Sequence, residues 1–138
     1  MLQLVIVFRA MQMFSHSAHL LCARTVFFQD HEFFGSVYGQ AEGYFDSLSE
    51  RMIGLGQEEQ LKLQSVMAAV GQKLASAPSV GVKENKEYYA FLLSQAEEGC
   101  KLCDQLCKAG ASEGTKNLLA GIADELEVLK YKISRRMK

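Results

Sequence analysis

Two histidines and two carboxylates occur at intervals that suit the binding of a divalent metal. Twelve positions separate His19 from His31, and Asp46 lies four positions before Glu50. Residues four apart on an α-helix share a face, so the two carboxylates would project in one direction. Imidazole and carboxylate donors together suit iron and manganese better than they suit a nucleophilic triad. Any one of these residues alone would more often be a solvated side chain, but the spacing of all four favours a metal site.

The composition is that of an ordered globular chain. The 138 residues are 49% hydrophobic and include a single proline, which argues against disorder. The formal net charge of −1 would not by itself attract nucleic acid or an acidic membrane. No apolar run approaches the roughly 20 residues that span a bilayer. We expect a single domain over residues 1–138.

The first apolar stretch and the cysteines bear on the compartment. The stretch Leu2–Phe8 has no basic segment before it and no small-residue cleavage site after it, so it predicts the start of a helix rather than a signal peptide. Four cysteines without secretory features favour reduced thiols in the cytoplasm.

Apolar residues recur at helical intervals along nearly the whole chain, which predicts an all-α fold. A loop is expected at 24–26 and a linker at 79–82, with Asp30 and Ser112 as helix N-caps. Four long helices and one short helix, placed between the second and third long ones, predict an antiparallel four-helix bundle. The expected helices run over Leu2 to about Ala23, Gln29 to about Leu55, Gln57–Ala75, Lys83–Lys108 and from Ser112 onward.

Three glycines recur every four residues within the second expected helix. They are Gly35, Gly39 and Gly43, and each would cost about 1 kcal/mol relative to alanine in a helix. Glycines on one stripe of a helix predict the close approach of another helix.

The ligand spacing carries a resemblance to a known family. The pattern His19-x11-His31-x14-Asp46-x3-Glu50, with Phe27, Phe28, Phe34 and Tyr38 around the second histidine, resembles the Dps mini-ferritins, the DNA-protection proteins of starved cells. The stretch 50–56 resembles the end of the second helix in that family, and the order of helices is similar over essentially the whole chain.

This resemblance implies a ferritin-like four-helix bundle that assembles into a hollow dodecamer. Such a cage oxidises Fe(II) with hydrogen peroxide or oxygen and stores ferric mineral, with manganese or zinc as other metals for the same ligands. It also implies an iron site at a two-fold interface, to which one subunit contributes His19 and His31 and its mate contributes Asp46 and Glu50.

Two departures from the family pattern bear on that site. Gly35 occupies the position where the family has an aspartate, so one of two iron positions is expected to be weaker. His16 and Glu42, each one turn before a matched ligand, are additional candidate ligands. The chain also has no tryptophan, and Leu20 follows the first histidine where family members commonly have one. We expect this to change how radical by-products are quenched.

Two further clusters have structural and functional interpretations. The C-terminal cations could bind DNA phosphates, but cations at a helix C-terminus more often complement the helix dipole, which we favour. Three cysteines on one helix stripe could be zinc ligands, but buried small residues of the core are the favoured interpretation. The cations are Lys130, Lys132, Arg135, Arg136 and Lys138, and the cysteines are Cys100, Cys103 and Cys107.

The sequence therefore predicts an iron-oxidising and iron-storing mini-ferritin that protects against peroxide. A cage of the same fold with a degenerate metal site, acting as a structural or interaction protein, is the alternative that Gly35 leaves open. A small helical-bundle binding module, monomeric or dimeric, is a third.

Overall fold

The computed structural model describes residues 1–23, 25–81 and 85–138, and the regular elements in these ranges are all helical. The all-α prediction is confirmed. A 3-10 turn, Glu58–Leu61, precedes the shortest of five α-helices. The helices are α1 (Leu2–Leu21), α2 (Phe27–Gly54), α3 (Leu63–Leu74), α4 (Asn85–Lys108) and α5 (Glu113–Met137). Within the described ranges, no helix has the length and apolar character needed to cross a membrane.

Two of the expected helix starts are wrong. Asp30 is not the N-cap of α2, which begins three residues earlier and has Val26 at its N-cap without a side-chain hydrogen bond. The helix expected over Gln57–Ala75 is interrupted at Lys62, whose φ of −57° and ψ of 126° are not helical. The predicted cap of α5 is confirmed, because Ser112 Oγ accepts a hydrogen bond from the Thr115 backbone N–H. The expected loop residue Arg24, the linker end Val82 and the helix start Lys83 lie outside the described residues.

Helix α1 lies at the centre of the molecule. The five consecutive residues Leu4–Phe8 are all buried, which an amphipathic surface helix would not allow. One side of α1 packs against α2 and α4, while Ile6 and Ala10 contact Val66 and Val70 of α3. The short helix thus covers the side of α1 that the long helices leave open.

Side-chain contacts fix the directions of the long helices. Phe8 packs on Tyr44 and His19 on His31, so α1 and α2 are antiparallel. Helices α4 and α5 form a second packed pair. The starts of α2 and α4 and the end of α5 meet where Asp30 contacts both Asn85 and Arg136. The connection that contains α3 therefore returns the chain to the end of the molecule at which α2 began.

Candidate metal-binding site

His19 and His31 form a reciprocal pair across the α1–α2 hairpin. Their rings are stacked with centroids 3.7 Å apart and planes 24° apart. The Nδ1 atom of each ring lies 2.7 Å from the backbone carbonyl oxygen of the other residue. A carbonyl oxygen can only accept, so both Nδ1 atoms carry a proton, and in the neutral form of each imidazole the lone pair is on Nε2. Neither Nε2 has a hydrogen-bond partner in the described part of the chain.

The local fold explains why the two imidazoles meet. His19 lies in the last turn of α1, where backbone carbonyls lack a helical partner. The His31 ring satisfies one of those carbonyls from the second turn of α2. This capping role accounts for the position of the rings, and it leaves their Nε2 atoms available for a ligand.

Gly35 makes room for the His19 ring. A Cβ atom at this position would lie 3.0 Å from His19 Nδ1 and 3.2 Å from His19 Cε1. The glycine stripe predicted a close approach by the backbone of another helix, but at Gly35 it is the His19 side chain of α1 that approaches. At Gly39 and Gly43 no described atom lies within 4 Å of the corresponding point, so the space above them is open in the single chain.

His16 and Tyr38 extend the cluster of rings. His16, on α1, is exposed and stacks on Tyr38 of α2 with centroids 4.5 Å apart. The Tyr38 ring also lies edge-on to His19 at 5.4 Å, and His16 and His19 are 6.5 Å apart. The structure thus brings the third candidate imidazole next to the histidine pair.

The acidic candidates lie farther along α2. Glu42, Asp46 and Glu50 are all exposed and follow one another at intervals of four on one face. Asp46 lies fifteen positions after His31, which corresponds to roughly 22 Å along a helix. One chain therefore does not bring His19 and His31 together with Asp46 and Glu50, and the described residues contain no group of three or more His, Cys, Asp or Glu placed to hold a metal. The hairpin thus carries a candidate nitrogen half-site, His19 and His31, and a separate candidate carboxylate half-site, Asp46 and Glu50.

Sequence reasoning missed a buried polar cluster around Asp30. This residue is fully buried, and its carboxylate accepts hydrogen bonds from Asn85 Nδ2 at 2.5 Å, Tyr89 Oη at 2.8 Å and Arg136 Nη2 at 3.1 Å. Burial, followed by the hydrogen bond and charge of Asp30, raises the pKa of the Tyr89 phenol well above its usual range. Arg136 is exposed in the last turn of α5, where a cation complements the helix dipole as expected, but it also pairs with this buried carboxylate, which was not predicted.

The signal for this cluster was present in the pattern of α2. Asp30 lies four residues before Phe34 and seven before Val37, and all three are buried on one face. An acidic residue on the apolar stripe of a helix is buried and requires a buried partner. An N-cap residue would instead lie outside that stripe.

The cysteine stripe belongs largely to the core. Cys103 is buried, and Cys100 and Cys107 are half-buried. Burial raises the pKa of the Cys103 thiol to about 12, which keeps it protonated and unreactive near neutral pH. The favoured prediction of a core role is confirmed for Cys103.

Comparison with known proteins found no matching family model, no matching curated protein and no matching solved structure. The functional assignment therefore depends on the chemistry and placement of these side chains.

Proposed function

We propose that this chain is a Dps-like mini-ferritin that oxidises Fe(II) at a site shared by two subunits and stores the ferric product. One observation carries the proposal. The reciprocal bonds of His19 and His31 hold two imidazoles with their Nε2 lone pairs unused, on the same hairpin as the exposed carboxylates Asp46 and Glu50. Nitrogen and oxygen donors of these types suit Fe(II).

A two-fold axis would complete the site. In an isologous dimer each patch contacts its own symmetry-related copy. An axis near Gly39, about midway between His31 and the acidic pair along α2, would bring the imidazoles of one subunit to the carboxylates of the other. The open space above Gly39 and Gly43 supports such an arrangement, because two α2 helices could approach closely there. His16 and Glu42 lie beside the two half-sites and are proposed as supplementary ligands.

The directions of the helices support the fold that the proposal requires. Two antiparallel pairs joined by one long crossover are typical of ferritin-like four-helix bundles. The α2–α4 connection, with α3 inside it, has the position of that crossover. We propose assembly into a dodecameric cage, with DNA binding not included because Arg136 is held by Asp30. The four free thiols fit a reducing compartment such as the cytoplasm.

The chemistry is a transfer of electrons from the substrate iron to the oxidant. Each of two Fe(II) ions gives up one electron, and hydrogen peroxide accepts both while its O–O bond breaks. Two protons from solvent complete two water molecules. The carboxylates stabilise the additional positive charge of the ferric product, and oxygen is the alternative oxidant.

Iron oxidation after anaerobic loading tests the proposal. Fe(II) is added without oxygen, hydrogen peroxide follows, and ferric absorbance is recorded for wild type, Glu50→Ala and Glu97→Ala. We expect the rate to fall at least about tenfold in Glu50→Ala and to stay unchanged in Glu97→Ala, which removes an exposed acid from α4. Equal rates in all three proteins would remove the proposed site.

Light scattering separates the rival functions. The proposal requires a mass near twelve subunits together with rapid iron oxidation. A cage without catalysed oxidation would overturn the proposal in favour of a structural or interaction protein. A monomer or dimer would overturn it in favour of a small binding module.

A further inference from the structure

We propose that a cavity between the starts of α2 and α4 and the end of α5 binds a small phosphate monoester through Lys86 and Arg136. This inference is independent of iron chemistry, because neither residue belongs to the candidate metal site. It follows from the side chains that line the cavity and from the buried carboxylate of Asp30 beside it.

The cavity is lined by groups that suit an anion. Its volume is about 260 Å³, and its wall contains two cations with a hydroxyl and an amide, from Lys86, Arg136, Thr25 and Asn85. No acidic residue is among the described residues that line it. Charged and neutral hydrogen-bond donors without a carboxylate favour a ligand with several acceptor oxygens, such as a phosphate group.

The buried Asp30 holds the Arg136 guanidinium in position. Arg136 Nε and Nη2 lie 3.2 Å and 3.1 Å from Asp30 Oδ1. In the described part of the chain Nη1 has no hydrogen-bond partner, and 41% of the Arg136 side chain is exposed. A guanidinium fixed along one edge is poorly suited to follow a flexible DNA strand. It is pre-organised, however, to bind a small oxyanion at its remaining nitrogen.

Lys86 supplies a positive charge that the described side chains do not neutralise. Asp30 offsets the charge of Arg136, whereas Lys86 is exposed and has no ion-pair partner among the described residues. Helix α2 adds to the positive potential, since its N-cap Val26 lines the cavity and provides no side-chain hydrogen bond to the first turn. The backbone N–H groups of that turn form the positive end of the helix dipole.

The size and the apolar part of the cavity favour a monoester over free phosphate. The volume of 260 Å³ equals that of about nine water molecules in the liquid, which is more than a phosphate ion fills. Val26 and Met137 contribute apolar surface to the wall. Ligand sites commonly combine such surface with a few polar groups that fix orientation, so the carbon part of a monoester can lie against these two residues.

Calorimetric titration of the iron-free protein with phenyl phosphate tests the inference. This probe joins a phosphate group to a small apolar ring. We expect it to bind wild type, and to bind Lys86→Gln at least about fivefold more weakly because one charge-assisted contact is lost. Lys101→Gln is the matched control, since it removes an exposed cation from the same helix, roughly 22 Å away along α4. Its affinity should equal that of wild type.

Two related probes identify the chemistry that is recognised. Inorganic phosphate lacks the apolar ring, so we expect it to bind at least about fivefold more weakly than phenyl phosphate. Phenol lacks the charge and should give no detectable heat. Absence of phenyl phosphate binding, equal weakening in both lysine variants, or equal affinity for inorganic phosphate would overturn the inference. Because no iron is present in these titrations, each of those outcomes leaves the proposed function intact.

Discussion

The imidazoles of His19 and His31 are stacked 3.7 Å apart, and each donates a hydrogen bond to the backbone carbonyl of the other. This relationship fixes the tautomer of both rings, as hydrogen bonds to the second nitrogen do for metal-binding histidines in general. It also makes the two rings interdependent, because movement of one breaks the contacts of both.

Replacement of Gly35 tests how tightly the His19 ring is held. Alanine in a helix interior gains about 1 kcal/mol over glycine, but here its Cβ would lie 3.0 Å from His19 Nδ1. We expect Gly35→Ala to gain less stability than Gly121→Ala, whose Cβ meets no described atom within 4 Å. Denaturant unfolding measures the two free energies, and NMR of the imidazole N–H protons reports the displaced ring. Equal gains with unchanged imidazole signals would contradict the tight contact.

Mixed assembly tests whether the half-sites come from different subunits. His19→Ala and Glu50→Ala each remove one half-site, so each protein alone should be inactive. In a dimer with one copy of each variant, the Glu50→Ala copy still has His19 and the His19→Ala copy still has Glu50. These two residues meet at one of the two sites, so that site is intact. Unfolding and refolding an equal mixture should restore about a quarter of the wild-type sites by random association. No recovery of iron oxidation, despite proven mixed assembly, would contradict a shared site.

Removal of Arg136 should destabilise the protein strongly. Its guanidinium lies 3.1 Å from a carboxylate oxygen of Asp30, which is fully buried. Loss of Arg136 leaves the buried carboxylate of Asp30 with only the neutral donors Asn85 and Tyr89, for which we expect a cost of about 3 kcal/mol in Arg136→Ala. Arg135→Ala, at an exposed neighbouring position, should change stability by less than about 0.5 kcal/mol. Urea unfolding of the two variants provides the comparison, and similar small losses in both would show that the pair contributes little.

Tyr89 should make stability fall at alkaline pH. Its folded pKa is raised above the ordinary value of 10.0 by burial and by Asp30. Below about pH 10 the Tyr89 phenol is protonated in both the folded and the unfolded state, so its contribution to the free energy of unfolding is complete. Above it the unfolded state loses the proton first, so the free energy of unfolding declines as pH rises. Tyr89→Phe should be about 1 kcal/mol less stable at neutral pH, and the difference from wild type should shrink between about pH 9 and about pH 11. A difference that stays constant over this range in urea unfolding would contradict the raised pKa, with Tyr131→Phe as the exposed control.

The sequence was sufficient for the helices and insufficient for the contacts between distant segments. Periodicity predicted α1, the long α2 and the Ser112 cap because these depend on residues close in the chain. The interruption at Lys62 was missed because the apolar spacing continues across it.

The candidate site shows the same division. The family resemblance implied that His19 and His31 of one subunit would act together, and the structure places their rings in contact. The partnership of Asp30 with Arg136, 106 positions later, could not follow from local patterns. Whether Asp46 and Glu50 reach the imidazoles depends on a second subunit and stays a prediction.

The central position of α1 has a consequence for synthesis on the ribosome. The segment Leu4–Phe8 is buried in the folded protein, yet α3 and α4, which cover it, follow it in the chain and are translated later. The nascent chain therefore exposes an apolar helix until α4 has been made, which is the condition under which chains aggregate or recruit chaperones. The core around α1 can therefore form only after α4 has been translated.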